Sequence, residues 1–90
     1  MNYTVVWTPA SLDRLAELWI DNPLQRDAIR TAGDKLDEVL RHNPDQIGEH
    51  RFDTVRAVKI PPLTVDFEIN PDDRMVMVLG VTLQRSPDLN

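Results

Sequence analysis

Arg51, Arg56 and Lys59 crowd into ten residues with Asp53 as their only acidic neighbour. They leave residues 51–60 at a net charge of +2 in a chain whose formal charge is −5. Clustered guanidinium and ammonium groups bind anions, and a phosphate that gains charge during a reaction is the transition state such groups stabilise. Arg85 adds a further cation near the end of the sequence. The plain structural alternative is that strands need polar residues on their wet side, and these cations would meet that need. Other chemistry is poorly provided. There is no cysteine, so a thiolate ligand, a disulfide and a Cys nucleophile are excluded. His42 and His50 are the only imidazoles, and His50 with Glu49 and Asp45 lacks metal-ligand spacing. No Gly-rich phosphate loop and no Ser-His-Asp pattern is present, so no metal and no cofactor is expected.

The rest of the composition narrows the partners. Residues 1–45 carry five Arg and Lys against eight Asp and Glu, so charge is sorted along the chain. An overall acidic protein does not bind nucleic acid through a uniformly basic surface, and an anionic partner would have to meet the local patch. No apolar run approaches the roughly 20 residues of a membrane span. The start Met1-Asn2-Tyr3-Thr4 lacks the basic region of a signal peptide, so the cytoplasm is the expected compartment, with no membrane partner. Residues 1–90 are read as a single domain, near the lower size limit for folding without staples.

The elements that must position the cations follow from periodicity. Tyr3, Val5 and Trp7 alternate with Thr4 and Val6 and predict a first strand. Thr8-Pro9 supplies an N-cap and a first-turn proline, and Leu12, Leu15, Ala16, Leu18 and Trp19 follow at helical spacing, predicting a helix over 9–20. Asn22-Pro23 repeats that signal for a second helix, whose stripe runs Leu24, Ala28, Ile29, Ala32, Leu36, Val39 and Leu40 until His42-Asn43-Pro44 ends it. Asp45 to His50 reads as a polar connection, and residues 51–60 as one strand closed by Pro61-Pro62. Leu63, Val65, Phe67 and Ile69 alternate with polar residues, so that strand has one buried and one wet face. Asn70-Pro71-Asp72-Asp73 is turn chemistry. Met75 to Leu83 is almost continuously apolar and reads as a central strand covered on both faces. The expected fold is α+β: an N-terminal strand, an α-helical hairpin, then a three-stranded antiparallel meander, with both helices on the face of Leu63, Val65, Phe67 and Ile69. Trp7 and Trp19 lie on the apolar parity of their elements and are expected in the core.

The opening Tyr3-Thr4-Val5-Val6-Trp7-Thr8-Pro9, the immediate helical hairpin, the segment ending Pro61-Pro62-Leu63 and the closing Val78-Leu79-Gly80-Val81-Thr82-Leu83-Gln84-Arg85 resemble the RelE/ParE superfamily of bacterial toxins. The resemblance spans nearly the whole chain. It implies the toxin of a type II toxin-antitoxin module, with a role of the plasmid-stabilisation or growth-inhibition kind, neutralised by a cognate antitoxin that wraps it. Two activities are open: RelE-like members cleave mRNA on the ribosome, and ParE-like members inhibit DNA gyrase; a non-toxic, antitoxin-binding relative is the further alternative.

On the RelE-like reading Arg56, Lys59 and Arg85 are the catalytic candidates, and Arg51, Arg56 and Arg85 the target-binding ones. Arg56 and Arg85 are expected to point into the concavity of the open sheet face. The pattern departs from that activity where Thr64 and Asp66 replace an expected Arg and where no Tyr or His follows Arg85, so the reading leans toward gyrase inhibition or target binding. Leu15, Leu18 and Trp19 exceed what a small sheet needs for cover, and are expected to line an apolar groove for the antitoxin. The oligomeric state is left open.

Overall fold

The computed structural model describes residues 2–84, so Arg85 lies outside the described residues. The chain runs β1 (Thr4–Trp7), α1 (Pro9–Asp21), a 3-10 turn (Pro23–Gln25), α2 (Arg26–His42), a second 3-10 turn (Pro44–Gln46), β2 (Glu49–Phe52), β3 (Val55–Ile60), β4 (Leu63–Asn70) and β5 (Met75–Leu83). The five strands form one sheet in the order β1-β5-β4-β3-β2. The meander is antiparallel, and β1 returns to pair in parallel with β5.

Alternation in β4 places Leu63, Val65 and Phe67 on the helix side with no exposure at all. They pack with Leu18 of α1, with Ile29, Ala32, Leu36 and Leu40 of α2, and with Val76, Val78 and Val81 of β5. Each such side chain contributes about 1.5–3 kcal/mol by leaving water, so this one layer supplies most of the drive to fold. The start of α1 is fixed to the sheet by Ser11. Thr8 Oγ1 accepts from the Ser11 amide at 3.2 Å, and the buried Ser11 hydroxyl lies 2.8 Å from Thr8 O and 3.1 Å from Val78 O, sharing its proton between them.

The structure departs from the periodicity reading in four places. Residues 51–60 are not one strand but the hairpin β2-β3, which turns at Asp53-Thr54 with Asp53 in the left-handed region (φ 49°). The meander is therefore one strand longer, and β2 begins at Glu49, inside the expected connection. Pro23 opens a 3-10 turn rather than α2, and Asn22 caps backwards, its side-chain amide donating to Leu18 O at 2.8 Å. Finally β5 is interior, between β1 and β4, while β4 is the middle strand of the five. Its unbroken apolar run has a local cause. The register slips between Asp66 and Phe67, leaving Leu79 as an extra residue, so the buried parity passes from Val76 and Val78 to Val81. Met75 and Met77 face the open side and are half-buried, not covered.

Candidate functional site

The sheet has one face under the helices and one face open, and strand register decides on which the cations stand. Arg56 is opposite Phe67, and Val58 is opposite Val65, so Arg56 belongs to the helix-side face. The helices do not reach it there. Its guanidinium turns instead to the loop before β2, with Nε donating to Ile47 O at 3.2 Å and Nη2 to Ile47 O and Gly48 O at 3.0 and 3.1 Å. Gly48 is held beside it at φ +75°, where an added Cβ would stand 2.5 Å from Ala57 O. Arg56 is thus a clamp on the β2 entry. The expectation that it enters the open concavity is corrected: it shares the apolar parity of its strand, and that parity faces the helices.

Lys59 and Arg51 do reach the open side. Lys59 is exposed opposite Thr64, and with Arg51, Glu49 and His50 it lines a shallow cleft against β3. Arg51 is an extra residue in β2, where register shifts between His50 and Phe52, and its Nη1 lies 2.7 Å from Asp66 Oδ1. Glu68, two residues on, accepts from Thr54 Oγ1. Among the described residues the open face therefore sets Arg51 and Lys59 against Glu49, Asp66 and Glu68, and Arg51, nearest its middle, is already bonded to a carboxylate. His50 closes the β2-β3 turn, with Nε2 2.8 Å from Asp53 O. Among the described residues no group of three or more His, Asp or Glu is arranged to hold a metal ion.

The second candidate surface is apolar. A groove of about 580 Å³ opens between α1 and α2, lined by Leu12, Leu15, Ala16, Trp19 and Ile20 of α1, by Gly33 of α2 and by Trp7 at the sheet edge. Leu12, Trp19 and Ile20 are 51%, 42% and 61% exposed, and Leu24 in the turn between the helices is fully exposed. The Trp7 indole donates to Asp37 Oδ1 at 3.1 Å, which fixes one wall. Arg26 fixes the end: it stacks 4.3 Å from the Trp19 ring centroid, and its Nε and Nη2 donate to Trp19 O and Ile20 O at 2.9 and 3.3 Å.

Of the three residues expected in such a groove, Leu15 and Trp19 line it. Leu18 is corrected to the core, since it is only 6% exposed and packs on the sheet. Trp19 is correspondingly not a core residue, and Trp7 only partly one. Leu12, Ile20 and Gly33 were missed. A signal for the first two was present, because Leu12, Leu15, Leu18, Trp19 and Ile20 together wrap roughly 200° of the helix circumference, about twice the stripe that one buried face requires.

No family model matches the sequence, and no curated protein matches it. Solved structures do. A chain of the RelBE2 toxin-antitoxin complex from Mycobacterium tuberculosis is similar with a TM-score of 0.79 at 15% identity, over 96% of this chain and 95% of that one. A chain of the chromosomal ParDE toxin-antitoxin system from P. aeruginosa superposes with a TM-score of 0.69, at 15% identity, over 92% and 97% of the two chains. The isolated E. coli RelE toxin gives 0.65 at 16% identity, over 97% and 89%. The chain shares its fold with these toxin-antitoxin proteins.

Proposed function

We propose that this chain is the toxin of a type II toxin-antitoxin module, held inactive by an antitoxin segment in the α1-α2 groove, and that it inhibits growth by binding its target rather than by cutting RNA. The observation that carries the first half is the groove itself. Leu12, Trp19 and Ile20 stand about half exposed along it, and an apolar groove between two helices fits the apolar side of a partner segment. The fold, shared with chains from toxin-antitoxin complexes, supports the same reading.

The second half rests on the cations. A metal-free ribonuclease has to activate the 2′-hydroxyl, stabilise the developing phosphate charge and protonate the leaving oxygen. Here Arg56 is committed to loop carbonyls, Arg51 to Asp66, and the remaining surface around Lys59 carries carboxylates that repel a phosphate. A ParE-like action on DNA gyrase is therefore favoured, with Lys59 and, from its place in the sequence alone, Arg85 as candidate target contacts, and it is exerted in the cytoplasm. The test is induced expression followed by separate measurement of DNA supercoiling and of ribosome-bound mRNA. Loss of supercoiling with intact mRNA supports the proposal; cleaved mRNA identifies the RelE-like activity instead.

A further inference from the structure

Gly33 stands in the interior of the 17-residue α2, on the groove floor, and a Cβ built there meets nothing within 4 Å. Its backbone is ordinary helix, outside the left-handed region. Glycine in such a position weakens a helix relative to alanine, and among the described residues nothing requires its bareness. What the missing side chain does provide is a strip of open backbone, across from Ala16 on α1. Partner helices approach most closely where side chains are smallest.

The groove is also bordered by charge. On α1 the lining row Leu12, Ala16 and Ile20 is followed on its solvent side by the row Asp13, Glu17 and Asp21, all exposed. On α2 the lining includes Asp34 and Asp37 against Arg30. The cations nearby are all engaged: Arg14 lies 3.3 Å from Glu17, Arg30 lies 3.8 Å from Asp27, and Arg26 is stacked on Trp19. Among the described residues five carboxylates thus flank the groove against three guanidiniums.

We infer that the groove takes an amphipathic helix which crosses α2 in closest contact at Gly33 and carries Lys or Arg along the edge that meets Asp13, Glu17 and Asp21. This deepens the toxin reading and rests on it. A helix of about 14 residues, roughly 21 Å long, matches the length of α1.

Trp7 and Trp19 are the only tryptophans, and both line the groove, so their emission reports its occupancy. The probes are two synthetic helical peptides of that length with the same Leu face, one flanked by Lys and one by Glu, titrated into the full chain. The Lys-flanked peptide is expected to bind about tenfold or more tightly than the Glu-flanked one at low salt, a preference that shrinks at high salt and in the triple variant Asp13→Asn, Glu17→Gln, Asp21→Asn. Gly33→Ala is expected to raise Tm by about 4–8 °C while weakening the Lys-flanked peptide about tenfold. Equal binding of both peptides, unchanged affinity in Gly33→Ala, or no gain in its Tm overturns the inference. So does a dimer of this chain that buries both tryptophans. If neither peptide binds but the product of the adjacent reading frame still changes the tryptophan emission, the inference fails and the toxin reading stands; if that product also fails to bind, both fall.

Discussion

Arg51 Nη1 lies 2.7 Å from Asp66 Oδ1, joining β2 to the middle strand across the open face of the sheet. The pair is half exposed on the Arg side and about a third exposed on the Asp side, so water screens it. Its consequence is functional more than energetic: the cation best placed to meet an anion on this face is already neutralised. A double-mutant cycle on Arg51→Ala and Asp66→Ala, read by urea unfolding, is expected to return a coupling below about 1 kcal/mol. Asp66→Ala alone is expected to leave RNA uncut. RNA cleavage gained by Asp66→Ala would mean that the carboxylate conceals a working site.

Arg56 is expected to behave as a structural residue. Arg56→Ala removes bonds to the Ile47 and Gly48 carbonyls and should lower stability by about 1–3 kcal/mol. Growth inhibition per folded molecule should stay as in the unsubstituted chain. A variant of full stability and lost inhibition would return Arg56 to the target-binding surface.

Leu18 and Trp19 are adjacent and are expected to separate stability from binding. Leu18→Ala empties a core position and should reduce stability by about 2–5 kcal/mol in denaturant unfolding. Trp19→Ala removes a ring that is 42% exposed, so most of its effect should fall on the partner, weakening antitoxin binding by about 2 kcal/mol or more. Calorimetric titration measures the second effect. The reverse ordering would place the partner elsewhere.

Gly48→Ala combines a φ of +75° with a Cβ position 2.5 Å from the Ala57 carbonyl oxygen. The backbone has to move, and a loss of more than about 1 kcal/mol is expected in thermal or urea unfolding. Unchanged stability would show that the β2 entry is looser than the clamp by Arg56 implies.

Much of this arrangement was legible in the residues. The strict alternation of Leu63 to Ile69 fixes which face is buried, because a strand has no other way to present four apolar side chains together. Thr8-Pro9 marks the start of α1, since both residues act locally. The hairpin at Asp53-Thr54 was hidden because that turn contains neither Gly nor Pro, and only Asp53 adopts positive φ. The bulge at Leu79 was equally hidden, since an apolar residue on either side of the slip looks like one continuous run. Arg56 illustrates a different limit. Its place opposite Phe67 puts it on the helix-side face, but a strand position names a face of a sheet and not what lies above it. Gly33 carried no signal at all until the space around it could be seen.

Induced expression of the chain in its host, with and without the product of the adjacent reading frame, tests the toxin reading most directly when growth, plasmid supercoiling and ribosome-bound mRNA are followed together. Growth arrest with relaxed plasmid and intact mRNA, relieved by the adjacent product and not relieved when the chain carries Trp19→Ala, is the expected result. Unimpaired growth at high expression, or arrest accompanied by cleaved mRNA, would contradict a target-binding toxin controlled through the groove between α1 and α2.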